Sequence, residues 1–129
     1  MNLAAAPTRR AIPLQGWAGF LLLAICWPLN WILPGMRTAY LFFPLWLGYI
    51  LLVDALIVKR SGTSLLQRSP RDFVLLFLAS APTWWLFEWI NRRTHNWEYL
   101  GEASLSDFEY YLLCTLSFST VMPAVFETA

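Results

Sequence analysis

Four acids stand inside or at the edges of long apolar runs: Asp54, Glu88, Glu109 and Glu127. A carboxyl in such a setting pairs with a group on a neighbouring segment, carries a proton, or donates one to a substrate. Glu88 lies in the chain's densest cluster of aromatic and ionisable side chains, PTWWLFEWINRRTHNWEYLG over residues 82–101. Two readings of it stay open. Arg92 follows Glu88 at i+4, in the favourable order for a same-face pair. Trp89 and Arg93 stand at the same spacing as ring and cation, and Trp84, Trp85, Trp89 and Trp97 fit an interfacial belt. That is an anchored helix end. The other reading is a site whose carboxyl is Glu88, lined by Trp85, Trp89, Arg92 and His95.

His95 is the chain's single histidine. Beside Arg92, Arg93 and Glu98 it is either a solvated loop residue or a proton carrier. Asp54 has Val58 at i+4 and Lys59 at i+5, so no cation of its own helix faces it. It must find a partner on another segment, reach an interface, or carry a proton. Glu109 follows Ser106 in the S-x-x-E spacing of a capping box, so it is a cap or a site residue. Cys26 and Cys114 lie alone in apolar runs and read as small packing residues, not as a disulfide or metal ligands.

Composition says what must position these groups. The 129 residues suffice for one domain. They are 58% apolar and 13% charged, against roughly 45–50% and about 25% in soluble domains. Mean hydropathy is +0.51. The solvent of most of this surface is therefore lipid. A net charge of +1 gives no basic footprint for nucleic acid, and one histidine argues against a histidine-built metal site.

Apolar runs predict spans over residues 17–33, 40–58, 73–90 and 109–126, each near the ~20 residues that cross a bilayer core. Each contains one proline (Pro28, Pro44, Pro82, Pro123), which predicts kinks. Residues 1–16 read as a cytoplasmic tail and 17–129 as a single transmembrane domain. Arg9-Arg10 resembles a paired-arginine export signal, but Pro13 interrupts what should be its apolar run and no A-x-A site follows. Ser69-Pro70-Arg71-Asp72 and Ser106-Asp107-Phe108-Glu109 mark helix starts. Pro34-Gly35 ends the first span and 61–64 reads as a turn. The sequence closes at Glu127-Thr128-Ala129 without a polar anchor, so the fourth span or further spans are expected to continue beyond it.

With the N-terminus inside, Arg9, Arg10, Lys59, Arg60, Arg68 and Arg71 fall on the inner side and Arg37, Arg92 and Arg93 on the outer, which favours that orientation. Topology then sorts the acids. Asp54 and Glu127 share the inner side, Glu88 and Glu109 the outer. A dyad of Asp54 with Glu88 would have to reach across the membrane.

A possible repeat accompanies this layout. VDALIVKRSGTSLL (53–66) and FEWINRRTHNWEYL (87–100) both run from an acid to a basic turn and a leucine, at a period of 34. Adjacent spans point oppositely, so the copies would be inverted; the ordinary end of any membrane span gives the same pattern. Trp97-Glu98-Tyr99, followed by the helix start Asp107-Phe108-Glu109-Tyr110-Tyr111, resembles the small membrane-embedded lycopene cyclases of the heterodimeric carotenoid type. The likeness covers 25 to 50 residues, and Asp107 and Glu109 stand one residue apart where that family has adjacent acids. It implies proton-initiated cyclisation of a polyene, with Glu88 and Glu109 as carboxyls and Trp85 and Tyr110 as ring donors.

The expectation is an all-α integral membrane protein of about four kinked transmembrane helices with a cytoplasmic N-terminus, multi-pass in the cell membrane. Its partners are the bilayer and homo- or hetero-oligomeric helices, with an apolar isoprenoid as candidate ligand; no cofactor, metal or nucleic acid is implied. The first functional reading is a non-enzymatic subunit or transport-type module using Asp54 as an intramembrane polar contact. The second is the cyclase-like enzyme, with Glu88, Glu109 and Asp54 as candidate catalytic carboxyls.

Overall fold

The computed structural model describes residues 11–99 and 104–129, and all regular structure in them is helical. The helices are α1 (Leu14–Ile32), α2 (Ala39–Ser61), α3 (Leu65–Arg68), α4 (Pro70–Thr94), α5 (Asp107–Ser119) and α6 (Val121–Thr128). A 3-10 turn over Gly35–Thr38 links the first two. Two of the helices, α2 and α4, are long and apolar enough to cross a membrane.

The long helices overrun their apolar cores because their ends are capped. Ser69 accepts from the Asp72 N–H at the start of α4, with Pro70 in the first turn. Gly62, at φ 91°, closes α2 in the left-handed conformation that lacks a penalty only for glycine. Lys59 and Arg60, and Arg92 and Arg93, fall in the last turns of α2 and α4, where a cation suits the carbonyl end of the helix dipole.

The fourth segment, expected as one run over 109–126, is two helices. Pro123 has no N–H to give the Ser119 carbonyl, and its ring crowds that carbonyl. The chain tightens instead: the Thr120 N–H bonds Ser117 O at 3.2 Å and the Thr120 hydroxyl bonds the same oxygen at 2.7 Å. Ser80 of α4 plugs the break. Its Oγ donates to Phe118 O at 2.5 Å and accepts from the Met122 N–H at 3.0 Å. Ser80→Ala leaves both backbone groups without that partner in a buried place. It is expected to cost about 1–3 kcal/mol, read as a lower midpoint for detergent-induced unfolding in micelles.

α1 and α2 form an antiparallel hairpin on small residues. Gly16, Gly19 and Cys26 are buried on α1, and Gly48 and Ala55 on α2. α6 packs on both α2 and α4, and Ile50, Phe73 and Ala124 form the apolar centre of that junction with Leu65, Leu66 and Phe77 around them. Asp54, Ser64, Ser80, Glu88, Asn91, Thr120 and Glu127 are buried too. Large apolar side chains such as Trp31, Leu78 and Phe126 lie outside. The molecule thus has a partly polar interior and an apolar surface, the reverse of the usual balance for water.

Candidate functional site

Two carboxyl clusters stand at opposite ends of the bundle. At one end Glu88, buried on α4, accepts two hydrogen bonds on Oε1: from the Trp97 indole at 3.1 Å and from the Tyr99 hydroxyl at 2.5 Å. Both donors come from the segment after α4, which must fold back along its own helix. Asn91 makes it do so. Its Oδ1 accepts from the Asn96 and Trp97 N–H groups, at 2.9 and 3.1 Å, and its Nδ2 donates to Trp97 O at 2.9 Å. Asn91 stands at i+3 from Glu88, so both side chains face the returning loop.

His95 makes the reversal. It caps α4 at φ 50°, with its N–H on Asn91 O at 2.7 Å. That conformation costs an L-residue about 1 kcal/mol or more. His95→Gly is expected to raise stability by about 1 kcal/mol, seen as a higher unfolding midpoint. The imidazole itself is exposed.

The expected Glu88–Arg92 pair is absent among the described residues: Glu88 turns inward to the loop while Arg92 is exposed. The i+4 rule measures a weak surface contact, whereas a buried carboxyl takes the donors that come with it into the interior. The Trp89–Arg93 contact does form, with the guanidinium 5.9 Å from the ring centroid. Trp97 has its N–H on Glu88, so it serves this cluster.

Glu109 is occupied elsewhere. It closes the capping box of α5: the Ser106 N–H and hydroxyl both reach Oε2, at 3.0 and 2.7 Å. It is exposed and, among the described residues, shares no hydrogen-bond partner with Glu88. Trp85 is held by Thr115, its indole N–H donating at 3.1 Å, and packs on Tyr111 and Phe118 with centroids 5.6 and 5.1 Å away. Tyr110 packs edge-on against Tyr111.

Beside this cluster is a mostly apolar cavity of about 420 Å³ between the ends of α1 and α2, the middle of α4, and α5. Trp84, Tyr99, Tyr110 and Phe118 line it, with Asn30 and Thr38 among its polar groups. Tyr99 therefore touches both the cavity and Glu88. Burial and then the hydrogen bond to Glu88 push its phenol up to about 12.

At the other end is Asp54, with no exposed surface. Oδ2 accepts from Gln15 Nε2 of α1 at 3.1 Å, and Oδ1 from the Leu66 N–H of α3 at 3.2 Å. Glu127 of α6 lies within electrostatic reach of Asp54 and of Arg68. Asp54 and Glu127 thus lie at one junction, where α2, α3 and α6 pack together, while among the described residues Glu88 and Glu109 hold separate partners. The repeat-like strings share one feature: each helix-end acid accepts from the segment that follows its own helix, Asp54 from Leu66 and Glu88 from Trp97 and Tyr99.

Gln15, Asn91, Trp97 and Tyr99 are the partners that carboxyl spacing alone does not reveal. Their signal is weak but present: Trp97 and Tyr99 alternate so that both can face one helix, and Asn91 is a polar residue one turn beyond Glu88. Among the described residues no three of His, Cys, Asp or Glu are grouped to hold a metal ion. No protein-family model, no curated protein and no solved structure matches the chain.

Proposed function

We propose that the chain is a transport-type or subunit module of the cell membrane, multi-pass, with its N-terminus in the cytoplasm. In this reading α1, α2, α4 and the broken pair α5–α6 are four spans, bent at their prolines and surrounded by bilayer. Asp54 is the polar contact around which the inner half is arranged. The observation that carries the reading is its environment: an acid without exposed surface, held by a side chain of α1 and a backbone N–H of α3, with a second buried acid on α6 within electrostatic reach. An acid so placed costs too much to be retained for packing alone.

The test is flux. The purified chain in liposomes loaded with a pH-sensitive dye is expected to pass protons or a proton-coupled solute. Asp54→Leu is expected to abolish this, while Asp107→Asn on the exposed start of α5 leaves it unchanged. Equal flux in wild type, Asp54→Leu and empty liposomes sinks the reading. Reporter fusions check the topology: the N-terminus and 62–64 should report inside, and 34–37 and 100–103 outside.

The lycopene cyclase-like reading draws its support from a different observation, the Tyr99–Glu88 hydrogen bond at the edge of an apolar cavity. An isoprenoid would occupy that cavity. Expression in a lycopene-accumulating host separates the two: a pigment change lost in Glu88→Gln favours the enzyme, and unchanged pigment removes it.

A further inference from the structure

We propose that Asp54 and Glu127 form a proton-binding pair, in which the two carboxyls hold one proton between them and exchange it at the end of the bundle marked by α3. The inference rests on the transport-type reading and names the ion that its inner site takes.

Burial comes first. Asp54 has no exposed surface, and Glu127 is 5% exposed. Glu127 Oε1 is wholly buried and has no hydrogen-bond partner among the described residues. An ionised carboxylate is a pure acceptor, and a buried acceptor left unpaired carries its full desolvation cost. α6 packs on α2 through Ile50 and Ala124, and Tyr49 reaches Thr128 beside Glu127, yet Asp54 cannot relieve Glu127 when both are ionised, because a carboxylate only accepts. One proton changes this. It turns one of the two into an O–H donor, and the other accepts. Asp54 oxygens each receive one bond already, from Leu66 and Gln15, and each retains a lone pair for a second.

Charge counting agrees. The groups facing the pair come from every element around it. α1 offers Gln15, which is neutral. α3 offers Arg68, whose Nε is bonded to Ser64 O and whose charge reaches Glu127. α2 brings the Tyr49 hydroxyl, paired with Thr128. Lys59 and Arg60 at the end of α2 are exposed, as are Arg71 and Asp72 at the start of α4, where Asp72 is engaged by Ser69. Among the described residues, one near cation for two acids leaves an excess negative charge in a buried place, and one bound proton removes it. Arg68 is itself exposed, so the water around it, and not its permanently protonated guanidinium, brings the proton and takes it away.

The pair is tested on the full chain in lipid by infrared spectroscopy between mildly acid and alkaline pH. Wild type is expected to show the carbonyl band of a protonated carboxylic acid that disappears at alkaline pH. The band should vanish in Glu127→Gln. Because that variant could fold poorly, wild type alone is also treated with dicyclohexylcarbodiimide, which reacts with protonated carboxyls in apolar surroundings. The label is expected on Glu127 or Asp54, at least severalfold more at acid than at alkaline pH. Absence of both band and label overturns the proposal. So does labelling that sodium ions abolish at constant pH, because the pair then holds a metal cation. A band and label without flux in liposomes sink the transport reading and leave the proton pair standing. Flux without either one does the opposite.

Discussion

Gly19→Val is expected to cost about 3 kcal/mol or more, the upper end of what overpacking does to a tight interface, and to separate α1 from α2. The reason is backbone, not side chain. A Cβ at Gly19 would stand 2.6 Å from Gly48 O and 2.7 Å from the Leu52 N. Neither atom belongs to a flexible side chain that can swing away, so relief requires one helix to move. From the other side, a Cβ at Gly48 would meet Leu22 Cβ at 2.8 Å and Gly19 O at 3.0 Å. The two glycines let the helices approach closely, which in an apolar solvent is the main source of helix attraction.

The effect should be graded. Gly19→Ala already needs a shift and should cost about 1–3 kcal/mol, with valine beyond it. Ala24→Val, on an exposed position of the same helix, should stay within about 0.5 kcal/mol. Midpoints of detergent-induced unfolding give the ranking. Cysteine pairs placed across the α1–α2 contact in a cysteine-free background report the separation directly. The hairpin also holds the Asp54 site, because Gln15 reaches Asp54 only from a closely packed α1. On the transport-type reading proposed above, Gly19→Val should therefore lower the flux that reading expects. Equal midpoints for Gly19→Val and Ala24→Val would show that α1 docks by other means.

What the sequence made legible was local. The Ser69-Pro70 start and the Ser106–Glu109 capping box need only neighbours within one turn, and both form. The Trp89–Arg93 contact has the same range. Predominantly apolar composition foretold helices, and two of them are long enough to cross a membrane. The misses are all long-range. Pro123 promised a bend, but a full break also needed Ser80, thirty-eight residues before Phe118, to satisfy the freed backbone. Glu88 was offered Arg92 by the i+4 rule, yet its partners lie 9 and 11 residues on. Only the Asn91-tied loop brings them back. Glycines at 16, 19 and 48 carry no side chain, so no hydropathy pattern marks the face on which they meet. Glu109 shows the converse. One spacing fitted both a cap and a site, and the short-range cap is what the chain builds.

Glu88→Leu is expected to release that loop. The substitution removes a buried acceptor and leaves the Trp97 indole N–H and the Tyr99 hydroxyl without it. Two hydrogen bonds to a carboxylate, at about 1.5–3 kcal/mol each, set a loss of about 3 kcal/mol or more after some relaxation toward solvent. Tyr99→Phe removes one of them and should cost about half as much. Trp97 fluorescence, isolated by replacing the other seven tryptophans, should shift toward the solvated value in Glu88→Leu and less in Tyr99→Phe. Tyr99 adds a pH signature. Its phenol is raised from 10.0 to about 12 in the folded chain, so the folded state favours the protonated form. The contribution is therefore complete below about pH 10 and is lost as pH rises through about 12. With 43% of Tyr99 exposed, solvent screens the effect, and it is read as a step in loop release and not as a large change in global stability. The step should be present in wild type over pH 10–12, coincide with tyrosinate absorbance, and be missing from Tyr99→Phe. Because the Tyr99 ring also lines the cavity, loop release should admit an apolar fluorescent probe to that space over the same interval. If wild type and Tyr99→Phe lose the loop over one and the same pH range, Glu88 holds it through Trp97 alone, and the phenol is only a wall of the cavity.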